Sequence, residues 1–501
     1  MTGAPGIGLA ALRLAGVGAA GAALVVGAPN LAARDIRPPA EIGQASQKAL
    51  DRVEIACPGG IFAGIEDVDD LAVPTTVVAS TAPADTLGGV SPSYARGKLI
   101  VMTGTGQSFP HPGRSGAMGG VGDRGAADAA DLEGAAPTVV TGSGSLAPGA
   151  LAGQESDVAS DSATGFATTG CGAPVAEAWL TAGGGQPGRQ ERLVLVNAGA
   201  NPVTVDIDVL GSRGSIEAPA ARGIVVEGRS RTAVLLDALA PQETSPFFHL
   251  TMRGGFISAQ IGDAWMDGIT PRGIETVAPL AAPAMEQVIA GVPGGQPVTV
   301  RLANTGEEQA IVEVRLLTAD GPRALPGAVG IARIAAGTAT DIAIGALPKG
   351  TNGLQVRSDL PVTGAALVQP KNARDFAWVT ASEPLAGLSG AVYQRLEDPE
   401  NRTRTLALAT TGDGSSVEVT TMRNGVSTAR TVSLAADCVT TVDLTGTDAV
   451  WVRPADGGGV VRAGILITGP AGDQFVLAST PLTPSRLTRT AVQVTPVGSL
   501  G

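Results

Sequence analysis

Arg192-Leu-Val-Leu-Val-Asn197-Ala-Gly199 decides the fold of this 501-residue chain, because it comes back. Thr299-Val-Arg-Leu-Ala-Asn304-Thr-Gly306 and Thr405-Leu-Ala-Leu-Ala-Thr410-Thr-Gly412 repeat its plan: an apolar run closed by Asn or Thr, with a glycine two residues on. Asn197, Asn304 and Thr410 stand 107 and 106 residues apart. A fixed period of that size marks copies of one structural unit.

Outward from the first copy, Pro202–Leu210 sets Val203, Val205, Ile207 and Val209 against Thr204, Asp206 and Asp208, the period-two pattern of a half-buried strand. Ile224–Glu227, Thr232–Asp237, Leu250–Met252 and Phe256–Ile261 read as further strands. The third unit repeats the order with Ala310–Leu317, Thr338–Leu347 and Asp359–Val368, and the fourth with Val417–Thr421, Cys438–Leu444 and Val461–Ile467. The tails also match: Ala278-Pro279-Leu280, Glu383-Pro384-Leu385 and Thr480-Pro481-Leu482, with a fainter Ala173-Pro174-Val175. We therefore divide the chain into β modules at about 53–175, 176–283, 284–388 and 389–501, behind an N-terminal segment (1–33) and a stalk (34–52) in which Gln47–Val53 reads as a helical turn or two. The first module is the least regular, and its Gly/Ala/Asp-rich stretch Thr103–Pro137 reads as an exposed, mobile loop. Short strands with turn signals every 8–12 residues predict an all-β chain of tandem antiparallel, immunoglobulin-like β-sandwiches. The alternative makes each unit two blades of a β-propeller.

Composition narrows the function. Net charge is −12 with no basic stripe, which disfavours nucleic acid as a partner. Leu14–Ala33 carries no charge and is long enough to cross a bilayer, so the segment reads as an uncleaved anchor or a cleaved signal, with the remainder extracytoplasmic. Cys57 and Cys171 flank the first module and form a plausible disulfide in an oxidising compartment; Cys438 reads as a buried free thiol.

Chemistry-bearing residues are sparse. His111 and His249 have no nucleophile with an orienting carboxylate beside them in sequence, which argues against a hydrolase triad or a histidine-rich zinc site. Glu66-Asp67-Val-Asp69-Asp70 lacks the ligand ladder of a calcium loop, and with Asp123, Asp128 and Asp131 it reads as solvated. Neither a metal nor a cofactor is expected. Trp179, Trp265 and Trp378 fall near module ends, where core packing is the plain reading and a sugar-stacking face the sharper one.

Cys171-Gly-Ala-Pro-Val-Ala-Glu-Ala-Trp179, Arg192–Asn197, Ser358-Asp-Leu-Pro-Val362 and Asp375-Phe-Ala-Trp378, behind an apolar N-terminus, resemble a family of large secreted or membrane-anchored actinobacterial proteins known only as a domain of unknown function. The resemblance covers most of the chain from about residue 45, and it implies an envelope location without an activity. The expectation is a non-catalytic, extracytoplasmic envelope protein that serves as scaffold or binding partner for other envelope proteins. The alternative is a protein that binds, or less readily cleaves, cell-wall polysaccharide.

Overall fold

The computed structural model describes residues 46–109, 117–132, 134–325, 330–370, 374–394, 396, 402–471 and 474–491. The apolar run 14–33 and His111 lie outside them. The described chain is all β, its helical content being the 3-10 turns Ala84–Leu87, Pro219–Ala221 and Leu236–Ala238. Gln47–Val53 is not helical: Ser46–Ala49 is a strand paired with Thr488–Ala491, and Arg52–Cys57 is a strand of the first module.

Each module is a sandwich of two antiparallel sheets. Numbered within a module (in the first, 1 Arg52–Cys57, 2 Thr75–Thr81, 3 Gly97–Thr103, 4 Ala117–Val121, 5 Ala127–Leu132, 6 Thr138–Gly144, 7 Ala150–Ala159 and 8 Thr164–Gly170; strand 2 is Arg189–Asn197, Pro297–Asn304 and Thr403–Thr411 in the others), strands 1-6-3-4 form one sheet and 5-2-7-8 the other, and this order is the same in all four. In the third module a single chain segment, Thr351–Val368, serves as strands 6 and 7, joining the two sheets into one ladder. No sheet is a meander of consecutive strands, so the units are sandwiches rather than paired blades.

The first module keeps the full plan. Ala117–Val121 and Ala127–Leu132, inside the stretch expected to be a loop, are its strands 4 and 5, paired with Gly97–Thr103 and Thr75–Thr81 respectively. Their own sequences have little β preference. They are held by ladders to strongly apolar neighbours, and Gly119 lets the Asp128 carboxylate come close, since a Cβ there would lie 2.0 Å from it.

Why the founding stretch is apolar at every position now becomes clear. Leu193 and Leu195 point into the core of the second module, while Val194 and Val196 point the other way, into a cluster with Ile61, Phe62 and Phe109 of the first. A strand covered on both faces reads as a continuous apolar run. The fourth module repeats the device: Leu406 and Leu408 face its core, and Ala407 and Ala409 pack on Val288, Ala290 and Leu317 of the third. Between modules two and three, Ala303, Ala365 and Leu367 join the core that holds Leu193. Between four and one, Leu388, Val392 and Trp451 pack on Val78, Leu87 and Leu151. Each 1-6-3-4 sheet thus covers the next module's 5-2-7-8 sheet, and within the compact unit Ala49–Thr488 the series closes on itself, the fourth module covering the first.

Arginines from strand 2 or its neighbours bridge successive modules: Arg231 to Ala63 O (3.0 Å), Arg301 to Thr244 O (2.8 Å), Arg462 toward Glu286 (3.5 Å) and Arg404 to Glu155 (2.7 Å).

The Asn/Thr that ends each strand 2 is structurally equivalent in the three copies. Asn197 Nδ2 donates to Asn201 O and Val226 O while Oδ1 accepts from Gly199 N; Asn304 does the same with Glu308 O, Ile334 O and Gly306 N; Thr410 Oγ1 donates to Ala435 O. Asn304 is fully buried. Asn304→Ala removes the donor to three carbonyls (Glu308, Ile334 and Ala335) and the acceptor of one amide and is expected to cost roughly 2–3 kcal/mol, and Asn304→Asp should not rescue it because a carboxylate cannot donate. Urea unfolding checks this; an unchanged midpoint would mean that water replaces the side chain.

Candidate functional site

The eighth strands of the four modules, Thr164–Gly170, Thr270–Val277, Ala377–Thr380 and Gln474–Pro481, meet at the centre of the ring. The first packs on the second and fourth, and the third packs on the same two. All four lead, at their C-terminal ends, into the segments carrying the repeated Pro-Leu or Pro-Val tails. Those segments line one cavity of about 690 Å³. Leu280, Leu385 and Leu482, with Pro279, Pro384 and Pro481, form much of its wall. The tail motifs therefore share a place: they are four walls of one axial pocket.

The pocket is mainly apolar, and three of its lining residues carry a polar atom that is buried and without a partner among the described residues. Gln260, 4% exposed, donates Nε2 to Thr169 Oγ1 and Gly170 O, both at 2.9 Å, and leaves Oε1 without a partner. The hydroxyls of Ser382 and Ser485, both buried, are also unpartnered. At the rim, Glu177 lies 2.6 Å from His249 Nε2, Glu383 accepts from Ala282 N at 2.8 Å, and Arg453 donates to Thr86 O at 2.5 Å.

Elsewhere in the ring interior, on and beside the axial strand Thr270–Val277, lies an acidic row. Glu191, Asp263 and Glu275 are direct cross-strand partners on three adjacent strands, and all are buried. Like charges placed so repel. Arg189 ion-pairs with Asp263, its guanidinium lying between the rings of Trp265 (5.0 Å) and Phe376 (4.7 Å), and Trp378 Nε1 donates to Asp263 Oδ2 at 3.0 Å. Burial, then the Asp263 charge, pushes Glu191 up to about 8, with Arg189 pulling the other way. Burial raises Glu275 well above the usual carboxylate range, and burial with Asp263 lifts Asp237 to about 6. Asp375 is raised by burial against three backbone amides: Phe166 N (3.0 Å) from the first module, its neighbour Phe376 N (3.1 Å), and Leu477 N (2.9 Å) from the fourth.

A pH dependence follows. A carboxyl with a raised folded-state pKa binds more protons folded than unfolded, so its contribution is complete below the unfolded value near 4.5 and is lost as pH rises through the folded value. Stability should fall by roughly 2–4 kcal/mol between pH 5.5 and 8.5, and Glu191→Gln should flatten that slope. Urea midpoints across this range test it; a rising or flat profile in the wild type refutes it.

A family model described as a family of unknown function (DUF5719) matches residues 126–445, nearly two thirds of the chain. The chain belongs to the DUF5719 family. The match spans the stretches Cys171–Trp179, Arg192–Asn197, Ser358–Val362 and Asp375–Trp378, on which the resemblance was read. No curated protein matches the chain.

In this DUF5719 chain the three tryptophans do not share a face. Trp179 is buried at 9% exposure, stacked on His249 at 3.8 Å, and touches the axial cavity. Trp265 is half-buried beneath Arg189 and borders a separate cavity of about 310 Å³. Trp378 is wholly buried, with the Arg301 guanidinium 5.0 Å away. Cys57 and Cys171 form a disulfide, which points to an oxidising environment outside the cytoplasm, and Cys438 is a buried free thiol. Among the described residues no group of three or more His, Cys, Asp or Glu is placed to hold a metal ion, and no helix is long and apolar enough to cross a membrane.

Sequence reasoning passed over the acid row. A signal was present: Ile261-Gly-Asp263-Ala-Trp265 puts Asp263 in register with two large apolar residues, so period two predicts a buried charge there. Its partners Glu191 and Glu275 come from other strands and carry no such local mark.

Proposed function

We propose that this protein is a non-catalytic, extracytoplasmic component of the cell envelope, a rigid ring scaffold whose axial cavity receives a binding partner, held at the membrane by residues 14–33 or secreted. One observation carries this reading: four copies of the tail motif, one per module, are spent on walling a single cavity. Ligand sites are characteristically concave, mostly apolar and furnished with a few polar groups. The disulfide supports the compartment. The polysaccharide alternative draws less support, because the ring faces of Trp179 and Trp378 are covered by His249 and by the core.

Capture from solubilised envelope by the full-length protein, beside Leu385→Trp, which fills the cavity, tests the proposal. A species retained by the wild type and lost by the variant is expected. Identical capture by both removes the cavity from the function, and binding on a glycan array would favour the polysaccharide alternative.

A further inference from the structure

Resting on that reading of the axial cavity, we infer that its ligand is an anionic single-chain amphiphile, an apolar tail ending in a carboxylate, with Arg486 as the counter-ion. A volume of about 690 Å³ falls within the roughly 300–1,000 Å³ of small-molecule sites. Leu280, Leu385 and Leu482, with their prolines, offer the tail an apolar wall. Methylenes removed from water there supply most of the affinity.

The charges around the cavity select the head. Among the described residues, four charged side chains line it, and three are engaged within the protein. Glu177 bonds His249. Glu383 accepts from Ala282 N and lies within electrostatic reach of Arg462. Arg453 donates to Thr86 O and stands opposite Glu418 on the adjacent strand. Arg486 is exposed, which sets it where the cavity opens to solvent, and its guanidinium has no hydrogen-bond or ion-pair partner among the described residues. Asp and Glu number 46 against 34 Lys and Arg, yet no described carboxylate is paired with this cation. Its backbone is anchored on both sides: Gly149 N donates to Arg486 O (2.9 Å), Ser485 N to Leu388 O (2.8 Å) and Leu50 N to Leu487 O (3.0 Å). A cation on fixed backbone loses less freedom when it is bound. Its position is also unrepeated. Five residues beyond the tail proline stand Trp179, Ala284, Ser389 and Arg486 in successive modules, so the repeated apolar wall gains one cationic point, the asymmetry of an amphiphile. A planar guanidinium meets a carboxylate through two parallel N–H···O bonds, and one free cation balances one negative charge, which favours a carboxylate over a dianionic phosphate monoester. At a wet opening such a pair discriminates between heads more than it adds affinity.

The test titrates decanoate, decylammonium and 1-decanol, one chain with three heads, into the full-length protein at neutral pH and reads binding by calorimetry. Decanoate should bind about tenfold more tightly than decylammonium, attraction to Arg486 separating it from repulsion. Arg486→Gln removes an exposed side chain that bonds nothing in the protein, so the unfolding midpoint should hold while the ratio falls to near one. Arg486→Glu should reverse the order. Decylammonium as tight as decanoate in the wild type, or a ratio untouched by both substitutions, overturns the inference. An equal loss of decanol and decanoate affinity in Arg486→Gln overturns it too, since the residue would then act through the fold and not through the head. Decyl phosphate binding more tightly than decanoate would overturn the carboxylate assignment. If none of these amphiphiles binds while Leu385→Trp still abolishes envelope capture, the ligand class is wrong and the cavity reading stands. If Leu385→Trp changes neither capture nor amphiphile binding, both fall.

Discussion

Asp375→Ala is expected to destabilise the protein by roughly 3–6 kcal/mol, the largest single-residue effect we foresee. The carboxylate is 2% exposed and takes backbone N–H bonds from Phe166, Phe376 and Leu477, so one side chain ties together the first, third and fourth modules. The first and second modules make room for it. A Cβ on Gly273 would lie 2.9 Å from Asp375 Cα, and one on Gly165 would lie 2.4 Å from its Oδ1; both glycines have positive φ, at 140° and 126°. Alanine at 375 would leave three amides buried and unpaired, each costing about 1–3 kcal/mol. Asp375→Asn keeps an oxygen for Phe166 and Leu477 but faces its own N–H toward Phe376, so its loss should be intermediate. Denaturant unfolding ranks the three proteins; an alanine variant as stable as the wild type would show that the axis is not held this way.

Loss of the Cys57–Cys171 bridge is the second large effect. The bridge spans 114 residues, with Cα atoms 4.7 Å apart, and both cysteines are buried. Cys57 ends a strand of one sheet of the first module, and Cys171 follows the last strand of the other, so the bond clamps the sandwich where it opens toward the ring centre. In the chain-entropy model a loop of this length is worth about 4–5 kcal/mol. Cys57→Ser with Cys171→Ser should lower the unfolding midpoint accordingly, and reductant should do the same to the wild type. If both thiols of the unreduced exported protein react with an alkylating agent, the bond is absent and the prediction fails.

Much of the architecture was readable beforehand because it is local. Period-two alternation in Val203–Val209, the Asn-x-Gly closures and the Pro-Leu tails are short-range patterns, and they identify strands, turns and copies without reference to distant partners. The first module resisted for the same reason. Ala127–Leu132 carries almost no strand preference of its own, and its ladder to Thr75–Ser80 comes from residues about 50 positions away.

The sequence alone therefore determined an all-β chain and the copying of one unit, and it offered the two cysteines flanking the first module as candidate partners. Closure of the modules into a ring, convergence of the tails on one cavity, the row of Glu191, Asp263 and Glu275, and the seat of Asp375 were decided only in three dimensions. Alternation along a strand encodes that a residue is covered. What covers it is set by distant chain segments, such as Gly149 against Trp451, 302 residues apart, and no local pattern records them.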